Sequence, residues 1–255
     1  MRVEFLGCHF DVLTMEQTLA SIGAALTGRR FIQHGVVNVA KLVSMREDAE
    51  LKAAVESCDI VNVDGMGVVW GAKFLGLTIP ERVTGIDLFR ELLSLSEKRG
   101  HSVFLLGGTQ EVLDLAAGKL ERMFPRLKIA GKHHGYFWDR EAEIVELVKK
   151  SGAELLFVAI SSPLKEKFIA RWREQLGVTF VMGVGGTFDV VAGKVRRAPP
   201  WMQRAGLEWF YRVAQEPRRL WKRYLVTNAK YGALVLSTMV ASWFVDEEVA
   251  GFPDE

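Results

Sequence analysis

Short apolar runs alternate with segments of helical spacing along the first 195 or so residues. Val3–Leu6, Phe31–Val37, Ile60–Val63, Val103–Leu106, Lys128–Ala130, Leu155–Ile160 and Val178–Met182 read as strands. Between them the spacing predicts helices. One opens at the capping box Thr14-Met15-Glu16-Gln17 and runs to about Leu26, with Gly28 behind it. Others cover Ala40–Val55, Met66 onward, the stretch after Glu81–Leu88 that carries Leu92, Leu93 and Leu95, Gln110–Phe124, and Asp139–Lys150. A further one starts at Pro163, with Ser162 expected as its cap. Strands that alternate with helices predict an α/β core built on a mainly parallel sheet.

In such sheets ligands bind beyond the carboxyl ends of the strands. Five segments fall there: Asn38, Asp64-Gly65, Gly107-Gly108-Thr109, Ser161 to Glu166, and Gly183 to Asp189. Their convergence on one rim says more than any one of them alone. Asp64 ends the strand Ile60–Val63 and precedes the helix from Met66, so it is either a site carboxylate or only a turn former or helix cap. Gly107-Gly108-Thr109 opens a helix after a strand, a place where backbone N–H groups meet phosphate. Neither a complete dinucleotide fingerprint nor a P-loop is present, which argues against a nicotinamide-dependent oxidoreductase. His133-His134 reads as surface loop, without carboxylate or cysteine at metal-ligand spacing.

After about Lys194 the texture changes. Arg196-Arg197-Ala198-Pro199-Pro200 reads as a linker, and three helical pieces rich in Arg, Trp and Tyr follow, the last starting at Pro217. The expected division is a core over residues 1–195 and a helical appendage over 196–255. From Lys194 to Lys230 ten Lys and Arg face two Glu, a local balance of +8 in a chain whose net charge is +2, so the rest carries −6. That asymmetry points to an anionic partner: a membrane surface, a diphosphate or nucleic acid. The neighbouring Trp and apolar residues fit lipid better than nucleic acid. Tyr231–Val245 is apolar but spans fifteen residues, short of the roughly 20 that cross a bilayer. It suits a segment lying on a membrane; the alternative is packing on the core or on a second subunit of a homo-oligomer. At 255 residues and 49% hydrophobic the chain supports a sizeable core. Cys8 and Cys58 make no disulfide framework or metal spacing. Nothing near Met1 reads as a signal peptide, and a cytoplasmic setting is expected.

The run Asn62-Val63-Asp64-Gly65-Met66-Gly67-Val68-Val69-Trp70, then Arg82-Val83-Thr84-Gly85-Ile86-Asp87-Leu88, then Gly183-Val184-Gly185-Gly186-Thr187-Phe188-Asp189, resembles the WecG/TagA/CpsF glycosyltransferase family (glycosyltransferase family twenty-six). So do Gly193 to Pro199, Gly206 to Arg212, and Glu216 to Tyr224, in order and over nearly the whole chain. The resemblance implies a Rossmann-like core of the type called GT-E, with helices on both faces of the sheet. It implies inverting, metal-independent transfer from a UDP-sugar to an undecaprenyl-diphosphate-linked sugar, an early step in teichoic acid, capsule or exopolysaccharide synthesis. No cofactor is implied. The appendage would help close the site and attach the enzyme to the cytoplasmic face of the membrane.

By motif position Asp64 corresponds to the base, Asn38 and Arg82 to polar site residues, and Arg212, Arg219 and Lys222 to cations facing the diphosphate. Lys165 and Glu166, with Gly107, Gly108, Thr109, Gly185, Gly186 and Asp189, complete the expected substrate-binding set. Two positions depart from the family pattern. Many members read Thr-x-Asn where this chain has Val36-Val37-Asn38, and Pro-x-Gln-Glu where it has Pro163-Leu164-Lys165-Glu166. The donor sugar of other members therefore does not carry over. An inverting transfer needs a base and a stabilised leaving group. Without an Asp-x-Asp motif the cations Arg82, Lys165 and the appendage arginines would stabilise departing UDP. The bland alternatives are a salt bridge from Arg82 to Glu81 or Asp87, and simple helix-terminus charge complementation by Glu166. A non-catalytic membrane-associated binder of lipid-linked sugars is the rival function.

Overall fold

A computed structural model describes residues 1–250, apart from the side chains of Arg219 and residues 242–250. The chain begins with an antiparallel hairpin, β1 (Arg2–Phe5) and β2 (Cys8–Asp11), where the sequence pattern showed only one strand. The order then runs α1 (Met15–Gly28), β3 (Ile32–Val37), α2 (Val39–Met45), α3 (Ala49–Glu56), β4 (Ile60–Val63) and α4 (Met66–Phe74). Next come α5 (Gly85–Arg99), β5 (Ser102–Gly107), α6 (Gln110–Met123), β6 (Lys128–His133), α7 (Glu141–Lys150), β7 (Leu155–Ala159), α8 (Leu164–Trp172), β8 (Phe180–Gly183) and α9 (Thr187–Ala192). Three helices close the described chain: α10 (Pro200–Arg204), α11 (Glu208–Gln215) and α12 (Pro217–Ala250).

The last six strands form one sheet in the order β4-β3-β8-β7-β5-β6, every neighbouring pair parallel. Its inner strands are apolar on both faces, as a sheet covered on both sides requires. Val103, Leu105, Leu155, Phe157, Phe180 and Met182 meet α1, α5, α6 and α9 on one face. Phe104, Leu106, Leu156, Val158 and Val181 meet α7 and α8 on the other. The period of two along each strand thus divides the core into two layers.

The capping box at Thr14 forms as expected, with the Gln17 side chain returning to the Thr14 N–H. Two expectations need correction. Ala40–Val55 is two helices, because Asp48 caps a new start by accepting the Leu51 N–H. Ser162 does not cap α8: Pro163 holds the cap position and no side chain bonds the first turn. The β6 strand is also longer than its sequence suggests and takes in His133.

Pro217 does begin a helix, and α12 continues unbroken through the apolar stretch. It lies along α2 and α4. Tyr231 and Val235 are buried there beside Val37, Leu42, Val63 and Val68, and the Tyr231 hydroxyl donates to the Gly67 carbonyl at 3.0 Å. Gly71 makes room for this: a Cβ on it would stand 2.1 Å from the Tyr231 oxygen. Among the described residues no helix is long and apolar enough to cross a membrane.

Candidate active site

Because all six strands run the same way, their carboxyl ends share one rim. Across the sheet it carries Asp64, Asn38, Gly183 to Asp189, Ser161 to Glu166, Gly107 to Thr109, and His133. Every segment expected at the rim is there.

Asp64 and Asn38 are brought together by close backbone packing. The Asp64 N–H donates to the Val37 carbonyl at 2.9 Å, and a Cβ on Gly65 would lie 3.1 Å from the Asn38 Cβ. Asp64 is not the helix cap: Gly65 holds that position on α4, with no side-chain bond. Among the described residues the Asp64 carboxylate has no hydrogen-bond or ion-pair partner. Burial pushes its carboxyl above the ordinary range; Arg82 opposes this, Glu208 adds to it, and Arg212 and Lys41 pull it down. Asn38 caps α2, its Oδ1 accepting the Lys41 N–H at 3.0 Å.

Arg82 does not pair with its sequence neighbours. Glu81 accepts the Met15 N–H, and Asp87 is gripped by both terminal nitrogens of Arg197 at 2.5 and 2.7 Å. The Arg82 Nη1 donates instead to the Asp64 carbonyl at 3.4 Å and to the Glu208 carboxylate at 3.1 Å. Glu208 also meets the Arg197 Nε at 3.4 Å. A carboxylate at the start of α11 therefore joins two arginines beside Asp64.

Glu166 is not a simple helix-terminus charge either. One of its oxygens lies 2.7 Å from the Lys41 ammonium and 2.7 Å from that of Lys165, and all three side chains are below 10% exposed. Lys41 also donates to the Val36 carbonyl at the end of β3, at 2.6 Å. The cluster carries one net positive charge beneath the middle of the rim. Burial raises the Glu166 carboxyl, but Lys41 and Lys165 outweigh it and hold the group at about 2. Burial, then Lys41, brings Lys165 down to about 8, and Arg223 of α12 presses the same way against the pull of Glu166.

The glycine turns are tight. Gly107 has φ +127°, and a Cβ there would lie 2.3 Å from the Ala159 carbonyl oxygen, so only glycine fits. Gly108 follows at positive φ, and the Thr109 hydroxyl caps α6 by accepting the Val112 N–H at 3.2 Å. Gly185 is left-handed, Gly186 precedes α9, and Asp189 lies in the first turn of that helix. Among the appendage cations Arg212 is exposed. Lys222 and Arg223 line a cavity of about 440 Å³ between α2 and α12, together with Ser44, Glu47, Thr227 and Lys230. The Arg219 side chain lies outside the described residues. A second cavity, about 430 Å³ beneath the β1–β2 hairpin, is lined by Leu6, Cys8, Leu42 and Met45 and is not at the rim. Among the described residues no three His, Cys, Asp or Glu side chains gather to hold a metal.

Sequence reasoning overlooked Lys41 and the role of Glu208, and named Arg197 and Arg223 only collectively among the appendage arginines. Lys41 had a signal: it is the one charge in the apolar run Val39 to Val43, three residues beyond Asn38. Glu208 had none, since its partners are far away in sequence.

The sequence profile of the glycosyl transferase WecG/TagA/CpsF family matches residues 3–243. The chain is 36% identical over 190 residues to the N-acetylglucosaminyldiphosphoundecaprenol N-acetyl-beta-D-mannosaminyltransferase of Bacillus subtilis strain 168, covering 74% of this chain and 73% of that one. It is 35% identical over 196 residues to the enzyme of the same name from Bacillus spizizenii, covering 77% and 75%. The chain has the parallel α/β sheet described above, belongs to the WecG/TagA/CpsF family and is a glycosyltransferase.

Proposed function

We propose that the protein transfers a sugar from a UDP-sugar to a polyprenyl-diphosphate-linked sugar, with inversion, in cell-surface polysaccharide synthesis. The observation that carries this reading is the Asp64 carboxylate, buried, without a hydrogen-bond or ion-pair partner among the described residues, and held beside Asn38 within the fields of Arg82, Arg212 and Lys41. The names of the Bacillus relatives supply the acceptor class, a sugar on diphosphoundecaprenol.

Asp64 takes the proton from the acceptor hydroxyl as its oxygen attacks the anomeric carbon. The carbon–oxygen bond to UDP breaks, and the electron pair leaves with the diphosphate. Arg82 and Lys165 face the developing charge, with Gly183 packed against Lys165; Arg212, Arg219 and Lys222 hold the acceptor diphosphate. The glycine turn at Gly107 and Gly108 admits the nucleotide end of the donor. Lys165, where many relatives carry an amide, and Val36, where they carry a hydroxyl, reshape the donor side of the pocket. The sugar is therefore left to experiment.

In this reading the appendage attaches the enzyme to the inner face of the cell membrane, supported by its basic charge and the exposed Trp201, Trp209, Phe210 and Trp221. Residues 1–195 supply the nucleotide-binding core and 196–255 the membrane-facing appendage.

The test is UDP release with a panel of UDP-sugars and a short-chain lipid-diphosphate sugar, comparing the natural protein with Asp64→Asn. Acceptor-dependent release with one donor, reduced about a hundredfold to ten-thousandfold in Asp64→Asn, is expected, because general acid–base groups contribute on the order of 10²–10⁴. The acid limb of the natural enzyme's kcat/KM profile should lie above the ordinary carboxylate range, because burial raises the Asp64 carboxyl. Equal release by the variant would remove Asp64 as the base.

A further inference from the structure

The cavity of about 440 Å³ between α2 and α12 carries three cations on its walls, Lys222, Arg223 and Lys230, against one carboxylate, Glu47, a balance of +2. Lys230 pairs with Glu47 from the opposite wall. The side chains of Lys222 and Arg223 have no hydrogen-bond or ion-pair partner among the described residues, and neither has the Ser44 hydroxyl that faces the same volume. Unpaired cations and a hydroxyl that converge on one space suit a phosphate, because guanidinium and ammonium groups both donate to its oxygens. The volume is that of a small-molecule site.

This phosphate is not the one beside the reacting sugars. Asn38 caps α2 at the rim, and Ser44 lies six residues on, roughly 9 Å along the helix axis. Glu47 follows beyond the end of α2, and Lys230 is paired with it there. Lys222 and Arg223 stand at the end nearer the rim, where Arg223 acts on Lys165. Lys222 can therefore serve the acceptor diphosphate while Arg223 and Lys230 face the body of the cavity.

The outer surface of α12 points to where such a phosphate comes from. At roughly 100° per residue, the exposed Trp221, Leu225, Leu236 and Val240 fall within one arc of about 100°. Arg223, Val226, Thr227 and Lys230 occupy the next arc and line the cavity. An apolar stripe beside a cationic cavity has no use for a free phosphate ion. It fits a lipid whose acyl chains lie along the stripe while the headgroup enters the cavity. A choline headgroup would set its own cation against Arg223 and Lys230. A phosphoglycerol headgroup brings one negative charge and hydroxyls that Ser44 can meet.

We propose that the cavity between α2 and α12 is a discrete binding site for the phosphoglycerol headgroup of an anionic membrane lipid, with Arg223 and Lys230 on the phosphate and Ser44 on the glycerol. This rests on the membrane attachment read above and adds to it a specific lipid ligand, held jointly by the core and the appendage and separate from the sugar acceptor.

The test is titration calorimetry of the full-length protein with monomeric dihexanoyl-phosphatidylglycerol, and separately with dihexanoyl-phosphatidylcholine and inorganic phosphate. Flotation with phosphatidylcholine vesicles, with and without phosphatidylglycerol, measures membrane attachment independently. Natural protein, Arg223→Gln and Arg218→Gln are compared, with thermal melting to verify folding; both arginines are exposed. The natural protein should bind one equivalent of the short-chain phosphatidylglycerol and prefer it to the other two ligands. Arg223→Gln should weaken that binding about tenfold to hundredfold, the usual loss of a charged hydrogen bond. Arg218→Gln removes the same charge from outside the cavity and should leave the affinity unchanged. If phosphatidylglycerol vesicles float the natural protein but it does not bind the short-chain lipid, or the two variants bind it equally well, the site is refuted while the attachment stands. Inorganic phosphate bound as tightly as the lipid also refutes it, because the occupant would then be a free ion. If the natural protein floats with neither vesicle, the attachment fails and the site with it.

Discussion

Replacing Glu166 with Gln isolates the electrostatics of the buried cluster. In the native protein one carboxylate oxygen serves two ammonium groups, each 2.7 Å away, and all three side chains are nearly inaccessible. Glutamine keeps the shape and removes the charge, leaving two desolvated cations whose remaining protein acceptor is the Val36 carbonyl of Lys41. Breaking a buried pair by removing one partner costs about 3–5 kcal/mol. Lowering the carboxyl from 4.5 to about 2 gives a similar figure, about 3 kcal/mol at roughly 1.4 kcal/mol per unit.

For a chain of this size each kcal/mol lowers the melting temperature by about 2–4 °C, so the variant should melt roughly 6–20 °C below the natural protein at pH 7. The pH dependence has a definite sign. The folded-state value of Glu166 lies below its unfolded value, so its stabilisation is complete above about 4.5 and is lost as pH falls toward about 2. The gap between natural protein and variant should therefore narrow on acidification through that window. Lys165 contributes a slope of the same sign on the alkaline side. Its ammonium is held down at about 8 against 10.5, so its cost is full below 8 and is relieved as pH rises toward 10.5. Thermal melts by circular dichroism from pH 3 to 10 measure both. A Glu166→Gln protein melting within about 2 °C of the natural one at pH 7, or a gap that does not narrow in acid, would refute the reasoning.

Two further substitutions address neighbouring parts of the site. Lys165→Gln leaves the Lys41–Glu166 pair charge-balanced and removes one desolvated ammonium, so stability at pH 7 should hold or rise. A charged hydrogen bond to the leaving diphosphate is worth about 1.5–3 kcal/mol, so kcat/KM should fall roughly tenfold to hundredfold; unchanged kcat/KM would place Lys165 away from the leaving group. Glu208→Gln takes a negative charge from beside Asp64, whose carboxyl Glu208 pushes up. The acid limb of the pH–rate profile should move to lower pH, with a stability loss of about 1–3 kcal/mol from the weakened Arg82 and Arg197 contacts; an unmoved limb would mean that Asp64 does not feel Glu208 during turnover.

The fold was legible because each strand carries its own local signal. Leu155–Ala159 and Ser102–Gly107 are short apolar runs that end in turn residues, and a parallel sheet follows from the helical spacing between them. The rim followed from topology alone, since parallel strands must bring their carboxyl ends together. Features set by partners distant in the chain were not legible. The break at Asp48 depends on a single cap, which helical spacing running on both sides of it conceals. β2 hides in Cys8–Asp11, four residues whose pairing with β1 only the turn at Leu6 and Gly7 makes possible. Lys165 and Glu166 could be named as site candidates, but that they share Lys41 depends on the start of α2 and that of α8 meeting at the rim across 125 residues of chain.

The same long-range pairing changes what the appendage is. Its cations suggest an electrostatic anchor, yet its charges also reach the chemistry. Asp64 is raised by Glu208 and lowered by Arg212, and Lys165 is lowered by Arg223. Arg82 links the two parts through one nitrogen: Nη1 meets both the Asp64 carbonyl and the Glu208 carboxylate. A guanidinium has five N–H donors, so the Nη2 and Nε of Arg82 can still grip phosphate oxygens while Nη1 keeps the appendage in place. Arg197, fixed to Asp87 on α5 and to Glu208 on α11, holds the other side of that carboxylate. The acidity of Asp64 thus depends on where α11 sits. An appendage displaced from the core would leave every rim residue in its strand-end position and still change the acidity of the Asp64 carboxyl, the group proposed as the base.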